Sequence, residues 1–170
     1  MYFDYEREFS GHKTMISDND IESILEILPN ANIKTTWFTV GKILDKYPNS
    51  IEAIIRNGHE IGSHTYNHIS PLYTSSNKLD EDFRFFSEAS CKYKEITGFH
   101  SPKGKWSSSM IQLLVKNSFT YDVAGVVKSN KKDLLIIKKN GIEVLYRIFF
   151  LGDNWQLFNT NPWKKMYLII

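Results

Sequence analysis

Two histidines separated by three residues, His64 and His68, are the side chains best suited to bind a metal ion in this 170-residue sequence. They directly follow residues 60–63, a run typical of a short β-strand. On a helical turn, positions i and i+4 share one face, so both imidazoles could reach one ion at about 2.0–2.1 Å. The pair alone is weak evidence, because two surface or capping histidines would explain it as well.

A zinc site needs a third protein ligand, and a catalytic site leaves one position open for water. Asp4 and Glu6 lie two positions apart on a predicted strand over residues 2–6, so both side chains are expected on one face. One carboxylate could bind the metal while the other accepts a proton from water, since paired carboxylates in different environments divide these roles. An exposed acidic strand end is the alternative interpretation.

The elements that must position these residues alternate between strands and helices. Helices are predicted from Ser17-Asp18 to Pro29-Asn30 and over residues 42–57 (with a possible break before Pro48), 78–96 and 107–117. Strands are predicted over residues 2–6, 34–40, 60–63, 98–102, 121–127, 141–150 and 166–170. This order favours one α/β domain over residues 1–170, with a parallel sheet or barrel and helices outside it. In such folds the chemistry lies at the carboxyl ends of the strands.

Composition and charge restrict the class of protein. A net charge of +2 argues against a nucleic-acid partner, and the lysines of residues 128–139 are interpreted as solvated charges on a loop or short strand. No run of about 18 apolar residues is present, so no membrane span is expected. The first residues lack the features of a signal peptide, which predicts a cytoplasmic location. Cys91 is the only cysteine, which excludes an internal disulfide, and its thiol is expected to be buried or half-buried.

Five segments, in order, resemble the motifs of the polysaccharide deacetylase (NodB-homology) family, which is similar to carbohydrate esterase family four. Residues 58–68, GHEIGSHTYNH, resemble its second motif, and residues 3–6, FDYE, resemble its acidic first motif. Residues 36–41, TWFTVG, resemble the strand that follows. GFHSPKG and GDNW, at residues 98–104 and 152–155, resemble the third motif and part of the fourth. The resemblance extends over essentially the whole chain.

The resemblance implies a distorted (β/α) barrel with an incomplete strand count. It also implies hydrolysis of acetyl groups from an N-acetylated sugar polymer or glycan precursor. Glu6, His64 and His68 would hold a divalent metal, most readily zinc, with Asp4 as the general base. The metal would polarise the acetyl carbonyl and lower the pKa of its water. The positions implied for the substrate pocket are His100, Pro102, Trp106, Asp153 and Trp155.

Two positions depart from the family pattern. The arginine of the third motif, which pairs with the catalytic aspartate, is His100 here, and an imidazole makes one bond where a guanidinium makes two. A fourth metal ligand is the alternative role for His100, although a catalytic zinc needs an open position. The fifth-motif histidine, which protonates the leaving amine, has no counterpart after residues 166–170. A domain truncated at its C-terminal end is therefore expected.

Two rival functions stay open. An amidohydrolase that acts on non-sugar C–N bonds is the enzymatic rival, since the same fold family performs that chemistry. The other rival is a degenerate protein that binds metal and glycan without turnover. His100 and the missing histidine favour the degenerate protein, whereas the presence of Asp4, Glu6, His64 and His68 favours the enzyme.

Overall fold

The computed structural model describes residues 1–11, 15–93, 95–104, 107–128, 135–139 and 141–149. Three of the residues proposed for the substrate pocket, Trp106, Asp153 and Trp155, lie outside these ranges. The strand predicted over residues 166–170 also lies outside them. These assignments therefore stay predictions.

Among the described residues, a seven-stranded sheet forms the centre of the fold. Its parallel part runs β1-β2-β3-β4-β5-β7, and β6 pairs antiparallel with β7 at one edge. The strands are β1 (Tyr2–Tyr5), β2 (Thr36–Thr39), β3 (Glu60–Ser63), β4 (Gly98–Phe99), β5 (Tyr121–Lys128), β6 (Leu135–Lys139) and β7 (Ile142–Phe149). The predicted α/β fold is confirmed, and β6 shows that the lysine-rich segment contains a short strand. In the described part of the chain, β1 and β6 are the edge strands of the sheet.

In the part of the chain that the structure describes, five α-helices connect the strands: α1 (Asp18–Asn30), α2 (Gly41–Lys46), α3 (Pro48–Arg56), α4 (Ser76–Ser90) and α5 (Ser108–Lys116). Helix α1 begins at a capping box, in which Ser17 and Asp20 exchange side-chain and backbone hydrogen bonds. The helix predicted over residues 42–57 is two helices, because Pro48 lacks a backbone N–H and starts α3. No helix among the described residues is long and apolar enough to cross a bilayer.

Helix α4 ends at Ser90, whereas the sequence predicted a helix that extends to residue 96. Cys91, the next residue, is exposed, so the expectation of a buried or half-buried thiol was wrong. Leu79, Phe83 and Phe86 are fully buried on one face of α4. Phe83 meets Phe99 of β4 edge to face, with ring centroids 5.3 Å apart. This apolar contact fixes α4 against the sheet.

Candidate metal centre

Three potential metal ligands converge where β1 and β3 end. Glu6 directly follows β1 and His64 directly follows β3, and the carboxyl ends of parallel strands meet at one edge of the sheet. Oε1 of Glu6 lies 3.2 Å from Nε2 of His64 and 3.2 Å from Nε2 of His68. The three ligand atoms lie within 4.8 Å of one another. The sequence predicted these three residues as the ligand set, and the structure brings them together.

The two histidines lie on an irregular loop rather than on a helical turn. Thr65 and His68 have φ angles of 62° and 57°, in the left-handed region that side chains with a Cβ rarely adopt. The expectation that helical spacing would bring the imidazoles together was therefore wrong. The loop conformation does so instead, with the rings of His64 and His68 5.2 Å apart.

Hydrogen bonds to both strand neighbours hold His64 in place. Its backbone N–H donates to the carbonyl of Thr39 at 3.0 Å, and its Nδ1 contacts the carbonyl of His100 at 2.6 Å. A carbonyl only accepts hydrogen bonds, so Nδ1 carries a proton, and in the neutral form of the ring Nε2 presents its lone pair. Metal-bound histidines generally donate their other N–H in this way. Nε2 of His64 is thus available to a metal.

The atoms that face one another in this cluster fit a cation between them. Contact with the imidazole of His64, and then with that of His68, holds the pKa of Glu6 well below its usual range, so the carboxylate is ionised at neutral pH. When His64 is neutral, its Nε2 and the Glu6 carboxylate both accept hydrogen bonds. Nε2 of His68 is buried and has no well-aligned hydrogen bond, although Glu6 is 3.2 Å away. Two imidazoles and one carboxylate with an open position are a common ligand set for divalent metals.

The two carboxylates of the first motif lie in different environments. Asp4 belongs to β1 and its side chain is 39% exposed, whereas that of Glu6 is 19% exposed. Oδ1 of Asp4 lies 3.8 Å from Nε2 of His100, and neither residue belongs to the three-ligand cluster. Nδ1 of His100 donates to the carbonyl of Val123, so its other nitrogen faces Asp4. This arrangement suits one carboxylate for metal binding and the other for proton transfer.

Pro102, the remaining pocket residue within the described ranges, begins a tight turn directly after the His100 segment. It is buried at the start of a short 3-10 helix, Pro102–Gly104. The backbone N–H of Gly104 closes the turn on the carbonyl of Ser101 at 2.9 Å. The turn places Pro102 near the carboxyl end of β4, and its contact with substrate stays a prediction.

Two residues that the sequence analysis missed hold the histidine loop. Asp82, buried on α4, accepts hydrogen bonds from the backbone N–H groups of Tyr66 at 2.6 Å and Asn67 at 3.0 Å. Gly41, at the start of α2, donates its N–H to the carbonyl of Thr65 at 2.9 Å. A lone acidic residue on the apolar face of α4 was the signal in the sequence that could have identified Asp82.

Comparison with known sequences identifies the family. The polysaccharide deacetylase profile matches residues 12–122, which include His64, His68 and His100. A peptidoglycan deacetylase from Helicobacter pylori is 30% identical over 105 residues, which cover 60% of this chain and 36% of that protein. A peptidoglycan-N-acetylglucosamine deacetylase from Bacillus cereus is 32% identical over 85 residues, which cover 48% of this chain and 38% of that protein. The chain thus spans little more than a third of these relatives' length.

Solved structures share the fold. A polysaccharide deacetylase homologue from Mycobacterium smegmatis aligns with a TM-score of 0.70 at 20% identity, over 89% of this chain and 58% of that chain. A family 4 carbohydrate esterase from Streptomyces lividans, in complex with acetate, aligns at 0.57 and 19% identity, over 64% of this chain and 57% of that chain. A family 4 pseudoenzyme from Bacillus anthracis also aligns at 0.57 and 19% identity, over 68% of this chain and 41% of that chain. With the profile match, these findings show that the chain belongs to the polysaccharide deacetylase family.

Proposed function

We propose that this chain is a metal-dependent hydrolase that removes acetyl groups from an N-acetylated sugar polymer or glycan precursor. The observation that carries the proposal is the convergence of Glu6, His64 and His68 within 4.8 Å of one another. Family membership and the relatives named for peptidoglycan deacetylation support the class of substrate. Zinc is the metal we propose, because two imidazoles, one carboxylate and an open position are typical of catalytic zinc.

In the proposed reaction each residue has one task. Glu6, His64 and His68 hold the ion, which when bound polarises the acetyl carbonyl and lowers the pKa of water. Asp4, the more exposed carboxylate, accepts a proton from the attacking water. His100 faces Asp4 from a ring that its Nδ1 anchors to the carbonyl of Val123, and so limits the movement of the carboxylate.

Acetate release from oligomers of N-acetylglucosamine tests the proposal. The zinc-loaded wild type should release acetate, whereas Asp4→Asn should lower kcat by about 10²- to 10⁴-fold with its zinc content unchanged. The double variant His64→Ala, His68→Ala should lose its zinc. Glu22→Gln, on the exposed face of α1, is the control for loss of a carboxylate and should change neither property. Equal zinc content in the double variant and the wild type would refute the metal site.

Glycan binding without turnover is the second candidate function. His100, at the position where the family resemblance implies an arginine, favours it, because an imidazole makes one bond where a guanidinium makes two. A pseudoenzyme of similar fold is known from Bacillus anthracis. A zinc-loaded wild type that binds the oligosaccharide and releases no acetate would support binding alone. Hydrolysis of small amides or imides, with the oligosaccharide left intact, would instead support the amidohydrolase.

We also propose a cytoplasmic location and the absence of a nucleic-acid partner. The net charge of +2 is the basis for the second proposal. Fractionation of the source cells tests the location, and a gel-shift titration with duplex DNA and single-stranded RNA tests the partner.

A further inference from the structure

We infer that Asp82 is a positioning residue for the proposed metal ligand His68. Its carboxylate holds the loop between the two histidines in the ligand conformation before any metal binds. The inference rests on the proposed function, because it concerns the geometry of the same metal site. Asp82 itself contacts neither a ligand atom nor Asp4 in the hydrogen bonds that it makes.

Both oxygens of the Asp82 carboxylate bind the segment that directly precedes His68. Oδ2 accepts the backbone N–H of Tyr66 at 2.6 Å, and Oδ1 accepts the backbone N–H of Asn67 at 3.0 Å. Oδ1 also accepts a bond from the side-chain Nδ2 of Asn67 at 2.8 Å. Successive backbone N–H groups that point at one anion form a nest. The carboxylate therefore fixes the orientation of two consecutive peptide units, and with them the direction in which the chain enters His68.

The loop needs such support because its backbone is strained. Thr65 and His68 have positive φ angles, a strained conformation that such residues keep only where the surrounding structure enforces it. Hydrogen bonds to an ionised carboxylate are stronger than those between neutral groups. On the other side of the loop, Gly41 and Lys42 donate their N–H groups to the carbonyls of Thr65 and Tyr66, at 2.9 and 3.2 Å. The loop is thus bound through both its donors and its acceptors.

Asp82 is placed rigidly enough to act in this way. Its side chain is buried, and on the same face of α4 the neighbours Leu79, Phe83 and Phe86 are fully buried. A carboxylate in such a position carries a desolvation cost, and an apolar residue of similar size would serve the core better. The burial of Asp82 is therefore explained by the loop that it holds rather than by the packing of the helix.

Zinc affinity of matched variants tests the inference. Asp82→Asn keeps the side-chain volume but replaces one acceptor oxygen with an amide NH2 group. This group is a donor, so it cannot accept a hydrogen bond from a backbone N–H of the loop. Asp80→Asn is the control, because Asp80 lies on the same helix and bonds Lys116 and Asn117 rather than the loop. In competition titrations with a zinc chelator, Asp82→Asn should bind zinc about 10- to 100-fold more weakly than wild type, and Asp80→Asn should match wild type. Equal affinity of Asp82→Asn and wild type, or equal losses in both variants, would overturn the inference.

Amide hydrogen exchange of the metal-free wild type provides a test that does not depend on a variant. The N–H groups of Tyr66 and Asn67 should exchange slowly without zinc, because Asp82 already binds them. Protection that develops only after zinc is added would show that the metal organises the loop, and the inference would fail. The inference alone fails if wild type and Asp82→Asn bind zinc equally, whereas it fails together with the proposed function if the wild type binds no zinc.

Discussion

Nε2 of His100 lies 3.8 Å from Oδ1 of Asp4, and the other nitrogen of the same ring donates to the carbonyl of Val123. The imidazole is therefore anchored to the backbone of β5 and presented to the carboxylate. The rings of Tyr2 and Phe38 pack against it, with centroids 5.3 and 5.4 Å away. His100 is thus a fixed neighbour of Asp4, at the position where the family resemblance implies an arginine.

His100→Ala should separate catalysis from metal binding. The backbone carbonyl that accepts a hydrogen bond from His64 is retained in the variant, so zinc affinity should stay within a few-fold of wild type. Asp4 loses the imidazole that faces it, and kcat for acetate release should fall about 10- to 100-fold, as for other partners that orient groups at a metal site. Zinc content and kcat are measured on the same preparation. An unchanged kcat would show that Asp4 is held by other groups.

Gly41→Ala should disturb the histidine loop through contact with Tyr66. A Cβ at Gly41 would lie 2.5 Å from Cδ2 and 2.8 Å from Cα of Tyr66, and the second of these atoms is backbone. We expect a loss of about 1–3 kcal/mol in the free energy of unfolding, together with weaker zinc binding. Chemical denaturation and a zinc titration measure the two effects.

Gly141→Ala is the matched control for this prediction. A Cβ at Gly141 would meet no atom of the described residues within 4 Å, although its φ angle of +90° disfavours alanine. It should cost about 1–2 kcal/mol for the backbone alone and leave zinc affinity unchanged. A zinc affinity that falls equally in both variants would contradict the role assigned to Gly41.

The strands and most helices were predictable because their patterns are local. β-branched and aromatic runs gave β1 to β5, and Pro48 indicated where one predicted helix divides into α2 and α3. The cluster of Glu6, His64 and His68 was predictable because the spacing of the two histidines, together with the acidic first motif, resembled family motifs. In contrast, their loop hydrogen-bonds to Asp82, which is distant in sequence. The sequence marks Asp82 as an acidic residue on an apolar helix face, but it does not show which backbone N–H groups the carboxylate binds.

The sequence pattern also did not predict that Asp4 and Glu6 lie in different environments. Strand alternation predicted Asp4 and Glu6 on one face, but β1 ends at Tyr5 and Glu6 begins a turn. Arg7, the next residue, has a φ of 46°. Its buried guanidinium contacts Tyr5, Ser50 and Asp18, and an alternating sequence pattern does not predict such contacts.

Arg7→Met should lower the free energy of unfolding by more than a substitution that removes an exposed charged side chain. The Arg7 guanidinium donates to the hydroxyls of Tyr5 at 2.6 Å and Ser50 at 3.1 Å, pairs with Asp18, and lies 3.9 Å from the ring centroid of Tyr47. Because Asp18 is largely exposed, we expect a loss of about 2–4 kcal/mol in the free energy of unfolding, below the range for fully buried pairs.

Lys46→Met is the matched control for Arg7→Met. Lys46 pairs with Glu8 at the surface, with its side chain 58% exposed, so its removal should cost less than about 1 kcal/mol. Denaturant unfolding of both variants gives the comparison. Equal losses in the two variants would show that the buried contacts of Arg7 add nothing beyond a surface ion pair.

Tyr121→Phe should reveal an alkaline limit to stability. The hydroxyl of Tyr121 donates to Oε1 of Glu60 at 2.7 Å, and burial, followed by the Glu60 hydrogen bond, raises the pKa of Tyr121 well above its usual range. The unfolded chain releases this proton near pH 10 while the folded chain keeps it. The stability that Tyr121 contributes is therefore complete below about pH 10 and declines as the pH rises further.

Phenylalanine has no such proton, so the difference in unfolding free energy between wild type and Tyr121→Phe should shrink from about pH 9 to about pH 11. Urea denaturation at both pH values measures it, with Tyr73→Phe, at a side chain 76% exposed, as the control. A difference that stays constant or grows would contradict the assignment of a protonated, half-buried Tyr121.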